Sequence, residues 1–396
     1  MGIEKEPATA GEDRETQYTT IKVRIYPTPE QAEVMDKTID CCRYLWNRML
    51  ADEQEFYAAT DKHYIPAPAR YKKSAPFLKE ADSQALVAVH QNIQKAFRDF
   101  FTKPERFHYP TFKKKKQHRN TYRSYCHHYH GKAPDSIRIE GNGIVLPKVK
   151  WVKAKLHRRP EHWWTLQYAT VSRNPSGKYY CSLLYQYRAK RRARPSPLPD
   201  RTLGIKYSVR HYYVDSVGSR ADSPRWFRDS AEKLKEMQRR LSRMQPGSKN
   251  YEAQHQKLVQ LYEHIANQRQ DYIHKETTRI ANAWDAVCIR RSDMARTARA
   301  MRNSGVLDSA FGKFKFCLEY KLKRQGKAFV VVDRIQPTTK TCHACGSVNE
   351  SLNMRAAAWV CPHCGARLLR ERNAAENIRD MGLKQLREEQ SIYGVA

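Results

Sequence analysis

Carboxylates are scarce in this sequence. Its 41 acidic residues stand against 73 lysines and arginines, a formal charge of +32. Solubility alone needs a charge of only about 2–8 for a small domain, so the surplus points to polyanionic partners. Long apolar runs are also missing: none approaches the roughly 18 residues that would suggest a spanning helix, and residues 1–17 hold no hydrophobic stretch of the signal-peptide kind. The expectation is a cytoplasmic protein with no membrane partner. Ordered cysteine spacing is confined to one place. Cys41, Cys42, Cys126, Cys181, Cys288 and Cys317 follow no framework, which excludes a disulfide scaffold and leaves them as buried thiols.

What is present has the patterning of a mixed α/β chain of two to three domains. Residues 1–17 are polar and aperiodic and read as a mobile lead-in. Residues 19–26 alternate as a strand up to Pro27, after which Thr28 and Pro29 open a helix carrying Val34, Ile39, Cys42, Leu45, Trp46 and Met49 at helical spacing. A second helix is expected over 83–101, with Leu86, Val89, Ile93 and Phe97 on its buried face. Alternating runs between 136 and 188 predict a small β-barrel, and the basic, proline-rich stretch 188–200 a domain boundary. Strands follow at 202–209 and 211–217, joined tightly as a hairpin, and at 285–290 and 328–333, with a long antiparallel helical hairpin over 230–280, a helix near 308–325 and a last helix from about Asn373.

Two stretches offer nucleic-acid contacts. In the 83–101 helix, Gln84, Gln91 and Lys95 lie off the apolar face, and glutamine suits adenine in the major groove. Between 109 and 131 a lysine run is interleaved with aromatics, giving Lys113, Lys114, Lys115, Lys116, Arg119, Tyr122 and Arg123 as candidates for phosphates and stacked bases. The neighbouring Cys126, His127, His128 and His130 lack a paired motif and are not assigned a metal. Cys342-x₂-Cys345 and Cys361-x₂-Cys364, fifteen residues apart and each followed by glycine, form a zinc ribbon. Four protein ligands leave no open position, so that Zn²⁺ is structural.

Residues 306–378, with the cysteine pairs and the Asn-Ala-Ala segment, closely resemble the C-terminal half of TnpB, the transposon-encoded RNA-guided nuclease family related to type V CRISPR effectors. Residues 21–50 are similar to that family's opening and 233–281 to its middle helices. The resemblance implies an oligonucleotide-binding-like β-barrel (wedge) formed by 18–27 and 132–190 and interrupted by a helical recognition lobe at 28–131. After a linker at 191–200 it implies an RNase H-like (RuvC) domain at 201–337 and 367–385, an inserted zinc ribbon at 338–366, and a tail at 386–396. It implies a guide RNA and double-stranded target DNA as partners, a flanking motif read by the helical lobe, and a monomer within the ribonucleoprotein, associated with the nucleoid.

The family places a carboxylate at each of three stations, where two-metal cleavage needs them. Here the stations hold Lys206, Arg290 and Glu371. The resemblance is therefore strongest to nuclease-dead TnpB-like repressors (TldR). The expectation is a chain with no catalytic residues and no catalytic Mg²⁺, not an enzyme, which represses transcription by occupying guide-matched DNA. The alternative is an RNA-guided endonuclease with relocated carboxylates, for which Asp215, Asp293 and Asp380 are available.

Overall fold

A computed structural model describes residues 14–115, 120–129, 134–190, 198–222, 229–291, 310–333, 337–353 and 355–393. The chain divides into two compact units, 1–190 and 191–396.

The first unit is built on β1 (Arg14–Tyr26), whose Thr19, Ile21, Val23 and Ile25 face inward while Lys22, Arg24 and Tyr26 face out. Thr28 then caps α1 (Pro29–Thr60): its hydroxyl accepts from the Gln31 backbone N–H while the Gln31 side chain accepts from the Thr28 N–H, and Pro29 supplies the first turn. After α2 (Pro68–Ser74), Asp82 caps α3 (Ser83–Thr102), which lays Ala85, Leu86, Val89, Ile93 and Phe97 into the same core. The remaining strands are β2 (Thr121–Tyr125), β3 (Arg138–Glu140), β4 (Gly143–Leu146), β5 (Lys150–Lys155), β6 (Thr165–Arg173) and β7 (Tyr179–Lys190). They form one antiparallel sheet ordered β2-β6-β7-β1-β5-β4-β3.

Three expectations change here. The lead-in is shorter than supposed, because Arg14 already pairs with Lys190 and β1 runs 13 residues. The stretch given to the helical lobe ends in a strand, β2, which pairs with β6. The expected barrel is drawn as a sheet with β2 and β3 at opposite edges, and no pairing joins them among the described residues. Of the linker, 191–197 lie outside the described residues.

The second unit carries β8 (Thr202–Tyr207), β9 (Tyr213–Asp215), β10 (Arg220–Ala221), β11 (Ala286–Arg290) and β12 (Ala328–Val332) in the order β10-β9-β8-β11-β12. The hairpin β8–β9 and its continuation β10 are antiparallel, whereas β8, β11 and β12 run parallel. Parallel strands need crossover helices. The crossover to β11 is the hairpin of α4 (Ala231–Ser242) and α5 (Lys249–Ala283), clamped by Leu234, Leu258 and Ile265. Between β11 and β12 lies α6 (Phe311–Arg324). Alternation sends Leu203, Ile205, Val287 and Ile289 to α5 and α6 on one face of the sheet. Ala286, Cys288, Val330 and Val332 face the other way, toward the last helix, α7 (Arg370–Tyr393), through Ile378 and Leu386. That helix begins three residues before the expected Asn373. Between β12 and α7 the small hairpin β13 (Ala358–Val360) and β14 (Arg367–Leu369) carries the second cysteine pair.

Candidate nucleic-acid site and metal centre

The three station residues come together by register and helical repeat. Gly204 lies flush against α7: a Cβ there would fall on the Ala375 carbonyl oxygen and lie 2.8 Å from the Arg379 nitrogen. Two residues further along β8, Lys206 projects from the same face, and one turn back from Ala375 on α7 is Glu371. On the neighbouring strand Cys288 pairs with Gly204 and Ile289 with Ile205, so Arg290 follows beside Lys206.

The electrostatics agree with that placement. Burial pushes the Lys206 ammonium below the ordinary lysine range; Glu371 draws it back up, while Arg290 and Arg370 push it further down. Its Nζ donates to the Tyr207 carbonyl at 3.1 Å. Ser208 Oγ donates to Glu371 Oε1 at 2.8 Å, and Arg290 Nη1 to Thr338 Oγ1 at 3.2 Å. The ensemble is two cations and one carboxylate at the end of a half-parallel sheet.

The other carboxylates stand apart. Asp215 is buried, its carboxyl raised by that burial, and it accepts from the Ser219 N–H at 2.8 Å, which makes it the brace of the β9–β10 turn. Asp380 accepts from Arg379 Nε at 2.8 Å and lies 3.5 Å from His343 Nδ1. Asp293 lies outside the described residues.

The cysteine pairs meet as expected. Cys342 and Cys364 sulfurs are 3.8 Å apart and those of Cys345 and Cys361 3.7 Å, with all four Sγ atoms mutually within 4.8 Å. Tetrahedral zinc with bonds of roughly 2.3 Å requires sulfurs about 3.8 Å apart. Each knuckle turns on a glycine at positive φ, Gly346 at 75° and Gly365 at 73°, whose N–H returns to the carbonyl of Cys342 or Cys361. The donor set therefore fits structural Zn²⁺.

Sequence reasoning missed how this module is fastened. Asn373 Oδ1 accepts from the His343 N–H at 2.8 Å, and its amide donates to the Thr341 carbonyl at 2.8 Å. Asn377 donates to the carbonyls of Thr338 and Thr341 at 2.9 and 2.8 Å. Two asparagines four apart on α7 thus grip the first knuckle, while Ala374 and Ala375 between them allow the approach to β8. The signal was the paired asparagines at helical spacing.

The proposed nucleic-acid residues divide. Gln84, Gln91 and Lys95 share one stripe of α3 at 100° per residue, opposite its buried side, with Lys95 held to Asp99 at 2.7 Å. Lys113 is turned inward: Nζ sits 3.5 Å from the Trp46 ring centroid, its backbone is pinned by Asn47, and burial lowers its pKa to about 8. Tyr122 is 4% exposed, beneath the sheet, and cannot stack a base. Both are corrected to structural roles. Lys114 is exposed and Lys115 reaches Asp40 at 3.4 Å. Arg123, on the outer face of β2, lies 4.1 Å over the ring of Tyr168, which also meets Tyr125 edge-on. Those two tyrosines, half-buried on β2 and β6, were not singled out. Lys116 and Arg119 lie outside the described residues. Of the Cys-His cluster, Cys126 and His128 converge with Asp135, but both His128 nitrogens already have partners, Asp135 at 2.8 Å and the Leu166 carbonyl at 2.9 Å.

Comparison with known proteins follows the same division. Residues 17–62, folded here as β1 and α1, match the IS605 OrfB helix-turn-helix domain model; residues 182–299 match the IS605 OrfB model described as "Probable transposase"; and residues 311–378 match the "Cas12f1-like, TNB domain". A Streptomyces pristinaespiralis protein named "Putative RNA-guided DNA endonuclease" is 29% identical over 91% of this chain and 89% of its own length. A relative in Escherichia coli K12 bearing the same description, InsQ, is 27% identical over 91% of each. The fold resembles that of Cas12f1, solved in complex with guide RNA and target DNA, with a TM-score of 0.58, 14% identity, and coverage of 92% of this chain and 99% of that one. The expectation that the chain is not an enzyme is corrected by these relatives, which are named as endonucleases along nearly their whole length.

Proposed function

The chain belongs to the TnpB family, and on that premise we propose that it binds a guide RNA and, through it, matched double-stranded DNA beside a short flanking motif. Occupancy of that DNA obstructs transcription through it. In such a division of labour base pairing reads the sequence while the protein reads the flanking duplex and the backbone. The Gln84, Gln91 and Lys95 stripe is the proposed reader of the flank. The observation that carries the reading is the joint placement, in the second unit, of the station residues, the cysteine centre and the asparagines that bind the two together.

We further propose that Lys206, Arg290 and Glu371 hold no Mg²⁺ between them. A unit positive charge about 4 Å from another costs roughly 4 kcal/mol at an effective dielectric of 20, and a divalent ion doubles this. The activity in the relatives' names thus calls for carboxylates away from these stations. Asp380, at the surface of α7 beside the first zinc knuckle, is the described candidate with a solvent-facing carboxylate.

The protein purified from its native host tests the reading. It should carry a discrete structured RNA, and RNase treatment should abolish site-specific DNA binding. Site-specific binding that survives RNase would overturn it in favour of a protein with its own sequence code.

A further inference from the structure

The first unit brings together three donor atoms that neither the stations nor the cysteine pairs use. Just past β2, the Cys126 N–H still donates to the Gln167 carbonyl of β6 at 2.9 Å, so the sheet holds this end of the chain. The arm 126–128 is then joined to the arm 135–137. The Ser136 N–H donates to the His127 carbonyl at 3.0 Å, and the His127 N–H to Ser136 Oγ at 2.8 Å. That closure sets Asp135 against His128, and the Ile137 carbonyl 3.5 Å from Cys126 Sγ. The Cys126 sulfur, a His128 ring nitrogen and an Asp135 carboxylate oxygen all lie within 4.8 Å of one another.

The partners of the histidine decide how it can serve. A carbonyl oxygen only accepts, so the 2.9 Å contact with Leu166 places a proton on Nε2. Nδ1 then faces Asp135 Oδ2 at 2.8 Å, where a neutral ring would oppose two lone pairs. A proton or a metal ion has to lie between them. Metal-bound histidines hold this same arrangement, one nitrogen facing the ion while the other donates to a backbone carbonyl. Tetrahedral Zn²⁺, with bonds of about 2.0–2.3 Å, sets such donors about 3.4–3.6 Å apart. The nitrogen–oxygen pair would open by about 0.6 Å and the sulfur close in by about 1 Å at most, which small side-chain rotations supply.

We infer that Cys126, His128 and Asp135 form a second, exchangeable site for a zinc-class divalent ion. The mixed sulfur, nitrogen and oxygen set suits Zn²⁺ or Co²⁺ and not Mg²⁺, which takes oxygen ligands. Thiolate and carboxylate balance the two charges of the ion, and the thiol proton and the proton between Nδ1 and Oδ2 leave to solvent. Three protein ligands leave one position for water. The His128 and Asp135 side chains are 32% and 40% exposed, so the ion enters from solvent and leaves by the same route. The four-cysteine centre, with no open position, keeps its zinc through purification while this site is emptied. Once bound, the ion ties together the two arms of chain that leave the sheet after β2. The inference does not depend on the guide reading.

The test takes the full-length chain as purified, dialyses it against metal-free buffer and titrates it with Co²⁺. A thiolate-to-cobalt absorption band should rise and saturate at about one Co²⁺ per chain, while zinc measured by mass spectrometry stays at about one. Cys126→Ser, close to isosteric, should abolish the band, and Asp135→Asn, at a half-exposed side chain, should weaken binding tenfold or more, both with unchanged circular dichroism. His127→Gln, an exposed neighbour that is not a ligand, should bind as the parent does. Zn²⁺ added afterwards should bleach the band, and Mg²⁺ should not. No band in the parent, a band that survives Cys126→Ser, or cobalt uptake matched by loss of zinc would overturn the inference. An equal loss in His127→Gln would also overturn it, because binding would then follow the loop as a whole and not these three ligands.

Discussion

Lys206 is the residue on which the electrostatics of the second unit turn. Its ammonium is buried beside a single carboxylate, and burial holds its folded pKa below the value of about 10.4 it has when unfolded. A depressed pKa means that the unfolded chain binds more protons over the interval between the two values, so this residue makes stability rise with pH up to about 10.4. Lys206→Met should lose that part of the rise: urea unfolding at pH 7.5 and 9.5 should show a smaller gain for the variant than for the parent. An equal gain in both would mean that the ammonium is not enclosed. Lys113 shows the limit of reading charge from sequence. A lysine run reads as a surface, yet Lys113 lies on Trp46, because an indole face and an asparagine 66 residues away in the chain capture it. Tyr122 was misassigned for a related reason: composition suggested an exposed aromatic, while alternation along β2 puts it beneath the sheet.

Among the elements, the contact of β8 with α7 sets the position of all three stations. Gly204 and Ala375 bring the strand and helix backbones together, and Gly382, further along α7, leaves room for the Cys288 side chain of β11. Gly204→Ala places a methyl on a backbone carbonyl that cannot rotate away. Overpacking of this kind typically costs about 1–3 kcal/mol, so the second unit should unfold at correspondingly lower urea while the first is unaffected. An unchanged midpoint would show that the two elements do not approach as described.

The cysteine module is the second element with a direct test. Purified protein should contain about one zinc per chain by mass spectrometry of the metal, and Cys361→Ser should lose it. Because Asn373 and Asn377 fasten the first knuckle to α7, zinc loss should also raise amide exchange in the first turns of that helix; exchange confined to 337–369 would contradict the coupling. This element was readable from spacing alone, because four thiolates around one ion leave little freedom. The asparagine clasp was not, since its partners are backbone groups, the His343 N–H and the carbonyls of Thr338 and Thr341, which sequence does not mark. Sheet order was legible where turns are short, as in β8–β9, and not where a partner lies far along the chain. The pairing of Arg14 with Lys190 is such a case, and it is why residues 14–17 read as loose.

At the scale of the whole molecule, the charge of +32 is carried on two units of different construction. The first offers α3 and the Arg123–Tyr168 face; the second offers the station residues. Among the described residues neither presents a code for reading a long DNA sequence, and that is the physical reason to propose that base pairing does the sequence reading. The most direct measurement replaces the guide segment of the bound RNA and follows where the ribonucleoprotein binds on DNA. The account predicts that binding moves to the sequence matched by the new guide, provided the same flanking motif is present, and leaves the old site. Binding that stays at the original site after the guide is changed would contradict it.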